Sequence, residues 1–334
     1  MGKIVTFGEI LMRITPLGNK KLRQSNQLEY YFGGTEANVA VSLSQFGNKS
    51  EYITAVSDDF LGRAVISYLK QLNVYTESII KLDHPLGLYF LEVGAVMRSS
   101  KTCYNRAHSA FCHIEPNMVN WDESLVDCDW FHWTGITPAL SENAYLTLKE
   151  GVKKAHENGI TISTDSGYRK DLWNYGLDAK DVLKELMVYT TIFIGGVNEI
   201  NEILETSFDS TNVAFVEASK LLIKTFPNIK KVADKKRSSV NANWHKVISK
   251  MWNGSEFIET KELEITHIVD RIGTGDAFAA GLIHGLLHYD DFKALQFGNA
   301  ACAIKHTIEG DANLLNKADV LSVINGNVSG RIIR

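Results

Sequence analysis

The residues with the most chemistry in them are Asp270-Arg271-Ile272-Gly273-Thr274-Gly275-Asp276. Two glycines one residue apart let a turn bring backbone N–H groups close to a ligand. If a helix follows, its first N–H groups and the positive end of its dipole favour an anion such as a phosphoryl group. Asp276 then stands where that anion's reaction partner would lie. The same dipole is expected to keep its carboxylate ionised. Taken alone, the spacing also allows Asp276 to be no more than a helix-capping residue, a role aspartate often fills.

The elements needed to hold this turn are legible on both sides. Leu263 to Val269 is an apolar, β-branched run that predicts a strand. Phe278, Leu282 and Leu286 recur at helical spacing after the turn. Gly-x-x-x-x-Gly-Lys-Ser/Thr is absent from the chain, which excludes a P-loop. Phe278 stands where the third glycine of Gly-x-Gly-x-x-Gly would fall, which argues against a dinucleotide fingerprint.

A second glycine pair, Gly33-Gly34, precedes another helical pattern, with Val39, Leu43 and Phe46 on one face and Gly47 as its stop. Strand-like runs span 4–7, 50–56, 129–134, 160–165, 188–194 and 229–233. Helical runs from about 60 to 72, 144 to 157, 213 to 224 and from 275 and 291 onward alternate with them. Asp58-Asp59 is expected to cap the helix near 60. Repeated βα units argue for a mainly parallel sheet covered on both faces. Two stretches break the alternation. Residues 10–32 and 87–113 read as strands and turns without helices, which predicts a small antiparallel sheet outside the core. Val240 to Thr266 reads as a hairpin turning at Asn253-Gly254.

Bulk composition narrows the function class. The 334 residues carry 45% apolar and 22% charged side chains and a net charge of −4, ordinary for a globular protein. Lys235-Lys236-Arg237 is the only basic block, so nucleic-acid binding is not suggested. No run approaches the ~20 apolar residues that span a bilayer. Cys103, Cys112, Cys128 and Cys302 form no C-x-x-C pair and read as free thiols of a cytoplasmic protein.

Gly273-Thr274-Gly275-Asp276-Ala277-Phe278-Ala279-Ala280-Gly281 resembles the C-terminal signature of the ribokinase (PfkB-type) carbohydrate kinases, and Gly33-Gly34-Thr35-Glu36-Ala37-Asn38-Val39-Ala40 resembles their N-terminal one. Four further stretches resemble the 2-keto-3-deoxygluconate kinases of that family. These are Gly8-Glu9-Ile10-Leu11-Met12-Arg13, Gly87-Leu88-Tyr89-Phe90, Tyr104-x-Arg106-x-x-Ser109-Ala110 and Lys305-His306-Thr307-x-x-Gly310-Asp311.

The resemblance implies one ribokinase-like domain over residues 1–334, a three-layer αβα core with a β-sheet lid from about 10–32 and 87–113. It implies ATP and Mg²⁺ as cofactors and a sugar acid as phosphate acceptor, with fructokinase or ribokinase activity, or a non-catalytic sugar-acid sensor, as the alternatives. Asp276 would be the catalytic base, with Gly273, Thr274 and Gly275 in the anion hole, where N–H groups from Ile272 to Gly275 stabilise the transferring phosphoryl group. Gly33, Gly34, Asn38, Tyr89, Tyr104, Arg106 and Arg169 would bind the sugar acid. Lys235, Arg237, Gly273, Gly275, Asn299 and Lys305 would lie on the nucleotide side. A homo-oligomer joined through the lid edge is expected.

Two motifs depart from the family pattern. The family's Asp-x-Asn-x-Arg reads Asp165-Ser166-Gly167-Tyr168-Arg169 here. Its downstream Asn-x-x-Glu reads Asn198-Glu199-Ile200-Asn201, with Glu199 or Glu202 as substitute carboxylates. If glycine at 167 widens the pocket, a bulkier acid would be preferred, with Arg106 still required. No metal ligand is assigned from the sequence.

Overall fold

The computed structural model describes residues 2–330 apart from 168 and 329. Its largest sheet has nine strands among the described residues. From one edge they run Phe257–Glu259, Trp244–Trp252, Lys231–Asn241, Ile192–Ile194, Thr161–Asp165, Cys128–Thr134, Lys3–Phe7 and Ser50–Ile53, and Leu263–Ile265 pairs beside Trp244–Trp252. The six strands from Ser50–Ile53 to Lys231–Asn241 are parallel, and the remaining three extend the sheet antiparallel.

Side-chain alternation explains why both faces are covered. Val5, Phe7, Phe131, Trp133, Phe193 and Val232 point into one core, shared with the helices Glu142–Glu157, Ala179–Met187, Val197–Leu204 and Asn212–Thr225. Their neighbours Ile4, Trp130, Ile192, Ile194 and Ala233 point into the other, shared with Thr35–Gln45, Thr274–His288, Asp291–Lys305 and Lys317–Ile324. A strand buried on both faces reads as a near-continuous apolar run, as these do.

The helix that carries Asp276 is held by close packing. A Cβ on Gly281 would come within 2.8 Å of the Gly298 Cα, so Thr274–His288 and Asp291–Lys305 nearly touch backbones. Asp59 caps Phe60–Gln71 by accepting from the N–H groups of Leu61 and Gly62, as expected.

The two helix-free stretches do pair outside the large sheet, in the order Leu28–Gly33, Leu11–Pro16, Gly87–Glu92, Lys101–Asn105. The expectation of an antiparallel sheet needs correction, because Leu11–Pro16 and Gly87–Glu92 run parallel. The connection between them is long enough to return the chain to the same end.

Other boundaries differ for local reasons. Ser50 to Val56 splits at Thr54: Ser50–Ile53 joins the main sheet, while Ala55–Ser57 pairs with Ile80–Leu82. The strand predicted from 188 is only Ile192–Ile194, and the helices Ala179–Met187 and Val197–Leu204 were not foreseen. The hairpin predicted over 240–266 is two turns. Lys231–Asn241 meets Trp244–Trp252 across Ala242 and Asn243, and the chain turns again at Asn253-Gly254 before Phe257–Glu259. The strand before the Gly273–Asp276 turn ends at Ile265, so an irregular segment of eight residues, not a strand, leads into the helix.

Candidate active site

A cavity of about 590 Å³ opens at the carboxyl ends of the parallel strands, where ligands of α/β sheets bind. Strand geometry brings Glu9, Thr134, Asp165, Gly195, Gly196, Asp234 and Lys235 to its wall. The Gly273–Asp276 turn closes one side, and Leu11, Tyr89, Tyr104 and Arg106 of the small sheet and its following loop close another.

Gly273 precedes the helix Thr274–His288 in a left-handed conformation, φ 77°. Such a value favours glycine. The Asp311 carbonyl oxygen also fills the place a Cβ would need. The Ile272 N–H is not free for an anion, because it donates to Asp270 Oδ1 at 2.9 Å. The anion hole expected over Ile272–Gly275 therefore shrinks to Gly273, Thr274 and Gly275, whose N–H groups stand at the start of the helix, where carbonyl partners within the helix are lacking.

Asp276 does not cap its helix. Its Oδ2 accepts from Asn38 Nδ2 at 2.7 Å. Burial, and next the carboxylates of Asp165 and Glu36, push its pKa up to about 7, against the hydrogen bond from Asn38 and the charge of Lys235. The expectation that the helix dipole alone would keep it ionised is corrected: desolvation outweighs the dipole. A carboxyl poised near neutrality suits a general base.

Asn38 lies on the helix Thr35–Gln45, whose first turn is anchored to the neighbouring strand by Glu36. Glu36 is buried, and its Oε1 accepts from the Thr134 N–H at 3.1 Å, Thr134 Oγ1 at 2.7 Å and Thr137 Oγ1 at 2.6 Å. Thr35 donates to Oε2 at 2.6 Å. Burial holds the Glu36 pKa above its ordinary value.

Of the glycine pair, Gly34 lines the cavity. Gly33 does not approach the sugar side through open space, as expected; the Asp311 side chain packs where its Cβ would be. Tyr89 and Tyr104 stack with ring centroids 5.5 Å apart and both line the cavity, but the Tyr89 hydroxyl is given to Asp311. Arg106 also lines the cavity, and its Nε donates to the buried Glu9 Oε2 at 2.6 Å, with Nη2 on the same oxygen. One edge of its guanidinium is thus fixed by protein. Arg169 lies on the same wall.

Gly167 also lines the cavity, with φ 42° and the Gly167 N–H donating to Asp165 Oδ1 at 3.1 Å. A Cβ there would find its nearest neighbour at 3.5 Å. The glycine therefore serves a left-handed turn.

Of the two carboxylates in the altered Asn-x-x-Glu stretch, Glu199 lines the cavity and Glu202 does not. Asn198 is exposed, and Asn201 is taken up by Thr206 and Phe208. Glu199 accepts from the Gly196 N–H at 2.9 Å and faces the cavity. Asp165, raised to about 6 chiefly by burial, and Asp234, also raised by burial, stand near it. Sequence reasoning passed over Glu9 and Asp234, as well as Arg271, which lines the cavity too.

On the nucleotide side, Lys235 and Arg237 line the cavity, and Lys235 Nζ lies 3.6 Å from where a Gly275 Cβ would be. Two expected contacts are corrected. Asn299 is buried between helix and sheet, accepting from Ser249 Oγ at 2.8 Å and donating to the Lys261 carbonyl at 3.2 Å. Lys305 is fully buried behind the turn, donating to the carbonyls of Ile308 at 3.0 Å and Gly310 at 2.9 Å. Neither lines the cavity.

The pfkB family carbohydrate kinase profile matches residues 1–318. The chain belongs to the PfkB family of carbohydrate kinases. A Haloferax volcanii protein named 2-dehydro-3-deoxygalactonokinase is 30% identical over 331 residues, 98% of each chain. The Thermotoga maritima 2-dehydro-3-deoxygluconokinase structure superposes with a TM-score of 0.92 at 34% identity, covering 98% of this chain and 100% of that one. A PfkB carbohydrate kinase structure from Listeria grayi gives 0.92 at 30% identity, covering 97% and 99%. The fold is ribokinase-like, as expected, and the enzyme is a carbohydrate kinase. Among the described residues no helix is long and apolar enough to cross a membrane.

Proposed function

We propose that this kinase transfers the γ-phosphate of ATP to the 6-hydroxyl of 2-keto-3-deoxygluconate. The observation that carries the reading is that Asp276, Arg106 and Arg169 line one cavity. A base beside an anion-binding turn supplies phosphoryl transfer. Two guanidinium groups supply a site for an acceptor with a carboxylate, which Arg can hold through paired N–H groups. A neutral sugar has no group for that pair.

Asp276 Oδ takes the proton of the acceptor hydroxyl while its oxygen bonds to the γ-phosphorus and the bond to the ADP oxygen breaks. In a loose transition state most of the charge sits on the transferring group. The N–H groups of Gly273, Thr274 and Gly275, with Lys235, face that charge. Asn38 keeps the base oriented. The small sheet acts as a lid that excludes water and with it hydrolysis.

Mg²⁺ bound with ATP would neutralise the phosphates. Asp165, Glu199 and Asp234 offer the hard oxygen donors it prefers, held mostly through water.

A second reading, the C4-epimeric 2-keto-3-deoxygalactonate, is favoured by the name of the Haloferax volcanii relative. The strand Lys101–Asn105 is exposed along its length, which supports pairing of two copies at this edge. The four free thiols support a cytoplasmic setting. An ADP-release assay over both epimers, ribose and fructose tests the substrate. Turnover of the keto-deoxy acids well above that of the neutral sugars is expected; preference for a neutral sugar would overturn the reading.

A further inference from the structure

Arg13 lies on the strand Leu11–Pro16 of the small sheet, and its side chain is buried beneath the sugar cavity without lining it. Its Nη2 donates to Asp270 Oδ2 at 2.7 Å, and its Nη1 is 3.0 Å from Asp311 Oδ1. The guanidinium also covers the Tyr31 ring at 4.4 Å. Both carboxylates reach further. Asp270 Oδ1 fixes the Ile272 N–H, and Asp270 Oδ2 accepts from the Gly310 N–H at 3.2 Å. Asp311 accepts the Tyr89 hydroxyl, its side chain packs against Gly33, and its carbonyl oxygen lies against Gly273. Lys305 ties the same 308–310 loop from below. Two cations and two carboxylates are thus buried together between the small sheet and the phosphate-binding turn.

The geometry points to Arg13 as a positioning residue that fixes the register between the acceptor-binding sheet and the anion hole. One side of the cluster holds Tyr89, whose ring stacks on Tyr104 at the sugar wall. The other side holds the turn that receives the γ-phosphate. In-line transfer needs the acceptor oxygen and phosphorus aligned closely, and an error of about 1 Å costs roughly 10²-fold in rate. Arginine is required because its planar fork spans two carboxylates at once, whereas lysine offers a single point charge. A buried ion cluster is a weak source of net stability, so alignment is the better account of its presence.

The proposal rests on the phosphoryl-transfer reading above, and wild-type turnover tests that reading separately. The experiment is steady-state kinetics of Arg13→Met and Arg13→Lys, with rates normalised to folded, ATP-binding enzyme. Arg13→Met is expected to lower kcat about tenfold or more, with KM for ATP changed less than about threefold and the midpoint of the pH–rate profile unmoved. Arg13→Lys should fall between it and wild type. If Arg13→Met does not fold, Arg13→Lys carries the test, because it keeps the charge and loses only the fork. A kcat within twofold of wild type, a loss confined to KM, or a shifted pH midpoint overturns the proposal.

Discussion

The sugar side and the nucleotide side of the cavity are built on opposite principles. On the sugar side Arg13 is buried and paired with Asp270 and Asp311, and Arg106, half-buried, is paired with the buried Glu9, leaving Arg169 as the exposed charge of that wall. On the nucleotide side, Lys235, Lys236 and Arg237 ride a strand that emerges from the core, and its residues 236–240 are exposed. Buried, paired groups fix geometry and penalise a mismatched ligand, since any group left unpaired keeps its full desolvation cost. Exposed charges attract phosphates but are screened by salt and water. Discrimination between substrates should therefore reside on the sugar side, and the nucleotide side should tolerate change.

The largest expected effect lies where the two sides meet. Asp276→Asn should lower kcat by about 10²-fold or more, as for loss of a general base, with ATP binding kept. Near-normal turnover would remove Asp276 from the mechanism. The same variant carries a stability signature. The folded-state pKa of Asp276 is raised, so its ionisation costs stability increasingly as pH rises from the unfolded value toward about 7. The melting temperature of Asp276→Asn relative to wild type should therefore be more favourable at pH 8 than at pH 5.

Arg106→Ala tests whether the sugar side reads charge. For a keto-deoxy acid, kcat/KM should fall roughly 10- to 150-fold, the equivalent of a charge-assisted hydrogen bond of ~1.5–3 kcal/mol. Lysine should restore only part. Equal losses for acid and neutral substrates would mean that Arg106, held by Glu9, organises the wall rather than reading the carboxylate.

The pH dependence sharpens the contrast further. Since only ionised Asp276 can accept a proton, kcat/KM should fall about tenfold per pH unit below a midpoint near 7. A profile flat down to pH 5 would show that proton removal does not limit the rate. The smallest effect is expected from Arg237→Ala on the exposed strand: KM for ATP should rise only a few-fold, more at low than at high salt, with sugar KM unchanged. A loss as large as that of Arg106→Ala would break the comparison.

What could be read from the sequence is what depends on near neighbours. The Gly273–Asp276 turn, the helix after it, the Asp59 cap and the two helix-free stretches follow from φ preferences, capping chemistry and side-chain period. These act within a few residues, so the pattern survives without a fold around it. Asn38 and Asp276 were each legible from their motifs; that they touch was not.

The tertiary structure alone decided the electrostatics. Asp276 rises to about 7 chiefly because the fold buries it, with Asp165 and Glu36, distant in the chain, adding to the rise. Glu9 claims part of Arg106 across 97 residues, and Asp270 claims Arg13 across 257. Lys305 and Asn299 sit on helical positions whose direction the sequence left open, and packing turned them inward. Charge interactions depend on distance and dielectric, and both are set only when the chain has closed on itself.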